Sequence, residues 1–558
     1  MKLGLPINIT TDVLIIGGGG AGLRAAIEAK RHDMNVLLVS RSRVGYGSNT
    51  TISGGSFAAV VKSLYSGQDF SDSCAQHLQD TVVGGCFLSD QVLAETMVKG
   101  AEQQVNDLRH FGVSYTTAQA SSWITLSVEP GHSHSRMVYG HNAFGTDFTF
   151  PLRQYALKQG IEFQEGILIT NLLLKGQYVV GAMGIDIHGQ VFVFAAPAVI
   201  LASGGLGSVY LWNDNATGST GDGYALAYES GAVLQDMEFV QFYPLSLSAG
   251  TPALFYECFF LETGSKLLNR NGEDIVNKYS LSDSMLLTRD RLSRAIALEL
   301  DRGLGFEDKV ILDLTAVEES KMESLQPILP KSALQGERRF LVAPTAHFHM
   351  GGVRINEKAE ASISNLYAAG EVCAGVHGAN RLAGNALTEA WVFGTIAGQE
   401  AARRAHETGA VPLPTDIIAD NIRRWQELTF RREGEKTESL YQLLKEIMWR
   451  KAGIIRDADG LNQAIDEINN LKERYRHVFV PDERGLQFAV KLGNMLTASE
   501  MICRAALCRS ESRGAHYRQD YPDTNNDHWL CNILTTKEDG RMVLSTEPVK
   551  LSRLSPPA

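Results

Sequence analysis

Residues 12 to 29 read D-V-L-I-I-G-G-G-G-A-G-L-R-A-A-I-E-A, and the spacing inside them sets the fold class. Asp12 to Ile16 is a short apolar run of the kind buried inside a parallel sheet. Leu23 to Ala29 is good helix sequence. Between them Gly17, Gly19 and Gly22 satisfy G-x-G-x-x-G, with Gly20 and Ala21 inside the same turn. In a strand–turn–helix setting these glycines allow a tight turn and let backbone N–H groups meet a pyrophosphate at a helix N-terminus. The expectation is an α/β chain built on a Rossmann-like dinucleotide-binding domain. The next strand, Val36 to Val39, runs into Ser40-Arg41, where the usual fold carries an acid for the ribose hydroxyls. That weakens a generic NAD reading.

A second stretch carries the chemistry. It reads P-T-A-H-F-H-M-G-G-V from Pro344, N-L-Y-A-A-G-E from Asn365, and H-G-A-N-R-L-A-G-N-A-L from His377. The middle run predicts a brief buried strand ending at Gly370, with Glu371 just beyond it. A helix is expected from about Asn385, with apolar residues at Leu387, Trp391 and Ile396. His347 and Arg381 are expected in the flanking turns, facing a cleft. A planar fork of donors beside an imidazole suits a small carboxylate.

Together these phrases resemble the flavoprotein subunits of fumarate reductase and succinate dehydrogenase, and their relatives L-aspartate oxidase and adenylylsulfate reductase. The resemblance covers most of the chain. It implies an FAD-dependent oxidoreductase in which His347 and Arg381 hold a substrate carboxylate against the flavin. Thr288-Arg289-Asp290 resembles the motif whose Arg delivers a proton to the substrate carbon. The resemblance assigns FAD contacts to Gly17, Gly19, Gly20, Ala21 and Gly22, and to Ser40 and Arg41. It also assigns them to Ser48, Asn49, Thr50, Gly54 and Gly55, to Asp222 in Thr220-Gly221-Asp222-Gly223, and to Glu371, Asn385, Ala386 and Leu387. In respiratory members a His in the Gly47–Ser56 loop is bonded covalently to the flavin; here Asn49 stands nearest. FAD is therefore expected to be non-covalent, with a lower potential that favours substrate reduction.

The same comparison marks departures. The family's H-P-T-G becomes Tyr243-Pro244-Leu245-Ser246. Its T-E-G-C-R segment becomes Tyr256-Glu257-Cys258-Phe259-Phe260, so Glu257 stands in for the relay acid while the relay Arg is Phe260. A second substrate-binding His falls near Asp147, which puts fumarate itself in question. Gly131-His132-Ser133-His134-Ser135-Arg136 resembles the G-H-S-x-x-R of aspartate oxidase; a flavin-domain loop is expected there rather than a metal site. His77 is expected to be structural.

The resemblance divides the chain into a discontinuous FAD-binding domain (1–240 and 343–410), an inserted α+β capping domain (241–342), a C-terminal helical domain (415–515) and an extension (516–558). The segment Arg509 to His516 is expected to pack against the flavin domain, with Arg513 bridging elements. At 558 residues, three or four domains fit the length. Seven scattered cysteines without a C-x-x-C pair argue against a disulfide framework and against a metal or iron–sulfur site held by this chain alone. Electrons are accordingly expected to pass through a separate iron–sulfur subunit. The net charge of −11 argues against nucleic acid as a partner. No apolar run reaches the ~20 residues that span a bilayer, and the N-terminus lacks signal-peptide features. A cytoplasmic location is expected, with any attachment to the inner face of the membrane made through partners. Two alternatives stand beside this reading: an L-aspartate oxidase-like enzyme, and an electron-transfer flavoprotein subunit without its own substrate.

Overall fold

Four consecutive buried residues, Val13–Ile16, form the central strand β1. The computed structural model describes residues 3–64, 71–118, 123–248, 251–254, 263–283, 285–325, 335–409 and 411–557. After β1 come α1 (Gly20–Lys30), β2 (Val36–Ser40), β3 (Glu162–Glu165), β4 (Ala198–Leu201) and α2 (Asp222–Glu229). Then follow β5 (Val240–Ser248), α3 (Arg289–Asp301), β6 (Arg339–His349), β7 (Leu366–Ala368) and α4 (Asn385–Thr408). β7, β4, β1, β2 and β3 lie side by side in that order, every pair parallel. A parallel sheet is covered on both faces, so its strands are apolar throughout. α1 and α4 pack against each other beside it, Gly394 and Gly398 letting the backbones approach.

The turn after β1 shows why glycine is required. Gly17 has φ of 125°, and a Cβ there would lie 2.1 Å from the Ala202 carbonyl oxygen at the end of β4. At Gly22 a Cβ would lie 2.0 Å from the Gly17 oxygen. Any side chain at either position would displace the backbone that opens α1.

β5 and β6 pair antiparallel, with Tyr243 opposite Thr345, and irregularities interrupt the register on either side. The first half of β6 pairs instead with Val310–Asp313. This second sheet has its own apolar core, including Leu267, Ile296, Leu312 and Val342. β6 thus runs unbroken through position 342/343, where the sequence suggested a domain limit. Helices Thr415–Phe430, Thr437–Lys451, Ala458–Tyr475 and Glu483–Cys508 follow. The tail then closes as a hairpin, Cys531–Glu538 with Arg541–Pro548, that pairs with Leu234–Gln235. Arg513 donates to the Cys86 carbonyl and to Glu511, tying this region to the turn between helices Cys74–Gly84 and Gln91–His110. Among the described residues, no helix is long and apolar enough to cross a membrane.

Candidate active site

The C-terminal ends of the parallel strands open into a cavity of about 510 Å³, within the range of sites for organic ligands. At one end it is floored by the Gly17–Ala21 turn; at the other it is walled by Arg289, His347 and Arg381. Ser40, Arg41, Ser48, Asn49, Thr50, Gly54, Asp222, Glu371, Ala386 and Leu387 also line it. Two helix N-termini, those of α1 and α4, therefore face the same space, a setting that favours phosphate and developing negative charge.

Three residues expected to touch cofactor do other work. Gly22 is inside α1, closing against Gly17. Gly55, at φ 59°, makes the turn that presses on Phe144. Asn385 is buried: its Nδ2 donates to Thr81, and its Oδ1 accepts from His77 Nε2 at 2.9 Å. Burial pushes His77 down to about 3, so it stays neutral.

Asn49 is locked in place. Its Nδ2 donates to Asn215 and to Glu371, and its Oδ1 accepts from the Ala216 N–H and Ser219 Oγ. Ser48 caps the short helix Asn49–Ile52, and Thr50 Oγ1 accepts from the Gly20 N–H, which ties this loop to the glycine turn. Arg41 donates to Thr220 and Asp222, and Asp222 also accepts from Asn494 of the C-terminal helices. Burial raises the Glu371 carboxyl to about 7, against the opposing bonds from Asn49 and the His349 N–H. A cavity with a glycine-rich floor, a cation beside it and two helix N-termini fits a flavin dinucleotide.

At the far end, His347 is on β6 rather than in a turn. The strand's alternation, interrupted by the bulges, is what aims the ring at the cavity. His347 Nδ1 lies 2.7 Å from Asp214 Oδ2, and its Nε2 lies 3.1 Å from Arg289 Nη1. Burial holds its pKa below the ordinary value, Asp214 opposing this and Arg289 and Arg381 adding to it. Arg289 opens α3 and sits 4.8 Å over the Tyr243 ring, which in turn packs 5.1 Å from His347. Arg381, almost wholly buried, is in the turn before α4 as expected from sequence; Nη2 donates to Gln241 Oε1 and Nη1 to the Leu382 carbonyl. Gln241 also donates to the Arg381 carbonyl, so one side chain fixes both ends of this residue. His132 is fully engaged, Nε2 donating to the Ala383 carbonyl and Nδ1 accepting from Arg136. It props the Arg381 turn from behind.

Glu257, with Phe260, lies outside the described residues. Asp147 is not at the cavity: its carboxylate accepts from the Asn142 and Phe144 N–H groups and from Asn142 Nδ2, closing a turn at the start of helix Thr146–Lys158. Glu129 does line the cavity, as do Asp214, Asp222 and Glu371; it is buried and accepts from Tyr139 OH. Asp214, Gln241 and Glu129 escaped the sequence reading. Asp214 sits in an unremarkable W-N-D-N, and Gln241 and Glu129 carry no motif of their own; the partners of Asp214 and Gln241 are distant in sequence.

Comparison with known proteins agrees with this geometry. The family described as FAD binding domain matches residues 12–387, and that described as fumarate reductase flavoprotein C-term matches residues 441–558. A fumarate reductase (CoM/CoB) subunit of Methanothermobacter marburgensis is 35% identical over 94% of this chain and 97% of its own length. The succinate dehydrogenase flavoprotein subunit of Rickettsia bellii is 30% identical over 98% and 96%. A variant of the E. coli quinol fumarate reductase FrdA superimposes with a TM-score of 0.88 at 29% identity, covering 99% of this chain and 98% of that one. The chain belongs to the fumarate reductase and succinate dehydrogenase flavoprotein family, FAD-dependent oxidoreductases acting on CH–CH groups, and FAD is its cofactor.

Proposed function

We propose that this flavoprotein reduces the C=C bond of a small unsaturated carboxylate, Arg381 orienting the carboxylate, His347 holding Arg289 in place and Arg289 supplying the proton. The convergence of these three side chains on one end of the cavity carries the reading. The bound cofactor supplies hydride chemistry at carbon. Hydride to one alkene carbon and a proton to the other give the saturated acid, so the protein must position one carbon and protonate its neighbour. Arg381 is held rigid by Gln241, and a preorganised fork is suited to the negative charge that builds on the carboxylate. An arginine titrates above ~12, so Arg289 needs a partner through which its proton is restored.

Asn49 has a carboxamide, with no nucleophilic ring nitrogen, and both polar atoms of its side chain are engaged. FAD is accordingly held non-covalently: acid precipitation should leave the yellow colour in the supernatant. Flavin staying with the pellet, or a mass increment on the denatured chain, would refute this. Electrons reach the flavin through a separate iron–sulfur protein, a reading supported by the scattered cysteines and by relatives named as subunits. Native purification giving this chain alone, iron-free and fully active with a soluble donor, would count against it. A cytoplasmic site follows from the same reading, with any membrane attachment made through partners. Cell fractionation that finds the chain outside the inner membrane would exclude it.

The substrate is tested by steady-state turnover of fumarate and of mono-carboxylate enoates with a reduced dye. Glu129 puts a carboxyl group on the wall, and a carboxylate there would disfavour a second substrate carboxylate. Wild type should prefer the mono-carboxylates. Glu129→Gln should lower the KM for fumarate several-fold, while Asp147→Asn should leave substrate preference unchanged. No turnover of any enoate would exclude the reading. Fumarate preference unaltered in Glu129→Gln would exclude a role for Glu129 in selection.

A further inference from the structure

Each ring nitrogen of His347 has a partner, and the chemistry of one partner dictates the state of the other. A guanidinium donates hydrogen bonds and accepts none. Nε2, 3.1 Å from Arg289 Nη1, is therefore the acceptor. The neutral ring then carries its proton on Nδ1 and donates it to Asp214 Oδ2 at 2.7 Å. Asp214 is built into this position. The Asp214 N–H donates to the Ala346 carbonyl, the Ala346 N–H to the Trp212 carbonyl, and Asn215 Nδ2 to the His347 carbonyl. Asn215 Nδ2 also donates to Asp214 Oδ1. The carboxylate and the imidazole are thus mounted on two backbone segments bonded to each other.

We propose that Asp214 is a positioning residue, fixing the His347 tautomer whose Nε2 holds the Arg289 guanidinium at the substrate end of the cavity. In the other tautomer Nε2–H would face an N–H of Arg289, donor against donor, and the arginine would swing away. A second proton on the ring has the same effect. Among the described residues, the charged or titratable groups facing the ring are Asp214 from its loop, Arg289 from α3, Arg381 from the turn before α4 and Tyr243 from β5. Asp214 is the anion of that set. The proposal deepens the function argued above and rests on it for the kinetic half of its test.

The first measurement needs no substrate. In FAD-loaded protein labelled with ¹⁵N-histidine, the His347 signals are those lost in His347→Gln. Wild type should show Nδ1 protonated and Nε2 bare, and Asp214→Leu should show a mixture of tautomers. Protonated Nε2 in neutral wild type, or an unchanged pattern in Asp214→Leu, overturns the proposal. The second measurement is the pH profile of enoate reduction in wild type and Asp214→Asn. Holding Arg289 requires a neutral ring, so activity should fall as pH drops through the His347 pKa. Removing the neighbouring anion destabilises the imidazolium, so in Asp214→Asn this acid limb should move to lower pH by about one unit. The plateau kcat should fall roughly tenfold or more with FAD content retained. An unmoved limb with an unchanged plateau overturns the proposal, as does a loss of activity that tracks loss of FAD. If wild type reduces no enoate, the proposed function fails, and the tautomer measurement still decides the role of Asp214.

Discussion

Arg289→Gln is expected to lower kcat by about 10²–10⁴-fold, the usual worth of a positioned proton donor, while KM changes little. The argument is geometric. Arg289 begins α3, so its backbone is anchored by a helix, and its guanidinium is sandwiched between the Tyr243 ring at 4.8 Å and His347 Nε2 at 3.1 Å. Glutamine can still donate to the histidine and fill part of the volume. It has no proton to give to carbon. The loss corresponds to about 3–5 kcal/mol of transition-state stabilisation. Because Arg381 still carries the carboxylate, binding should survive, and FAD content should match wild type because Arg289 lies at the opposite end of the cavity from the glycine turn. A variant retaining activity within tenfold of wild type would remove Arg289 from the proton path.

Much of this was legible in the sequence because it is local. The Gly17–Gly22 turn declares itself through residues adjacent in the chain, and the backbone clash at Gly17 with Ala202 is the physical reason the spelling is constrained. Arg381 was legible for the same cause, since its turn and the helix that follows are one continuous phrase. Part of what failed to show depends on contacts across long sequence intervals, and part on local turns. His347 was expected in a turn because Met350-Gly351-Gly352 follows it, yet β6 continues through His349 and delivers the ring from a strand. Asp147 was set opposite the substrate by its place in a motif, but the turn at Asn142–Phe144 draws its carboxylate away. Glu129, from a neighbouring loop, takes the wall instead. Asn385 was assigned a cofactor contact by the family resemblance; its side chain turns inward to His77, and the next two residues line the cavity. Asp214 is 133 residues from His347 and met it only through the pairing of its loop with β6.

Arg381→Lys should weaken substrate binding and turnover together, because one contact both orients the carboxylate and meets the charge that develops on it. The wild-type side chain is almost wholly buried, stacked 4.5 Å over the Phe348 ring, with Nη2 on Gln241 and Nη1 on the Leu382 carbonyl. These partners fix the plane of the guanidinium before substrate arrives. A lysine would place a single point charge on a flexible stem, lose the stacking and the second donor, and leave Gln241 Oε1 short of its partner. The loss of a charge-assisted contact costs about 1.5–3 kcal/mol, or roughly tenfold to more than a hundredfold in kcat/KM. Both kcat and KM should worsen, in contrast with Arg289→Gln, where kcat alone suffers. Gln241→Leu offers the matching control: it leaves the charge at 381 but removes the side chain that orients it, so it should reproduce part of the defect. Steady-state kinetics on the best enoate substrate, with FAD content measured alongside, decides between the two. Arg381→Lys with wild-type KM, or a defect confined to kcat, would mean that the carboxylate is held elsewhere in the cavity.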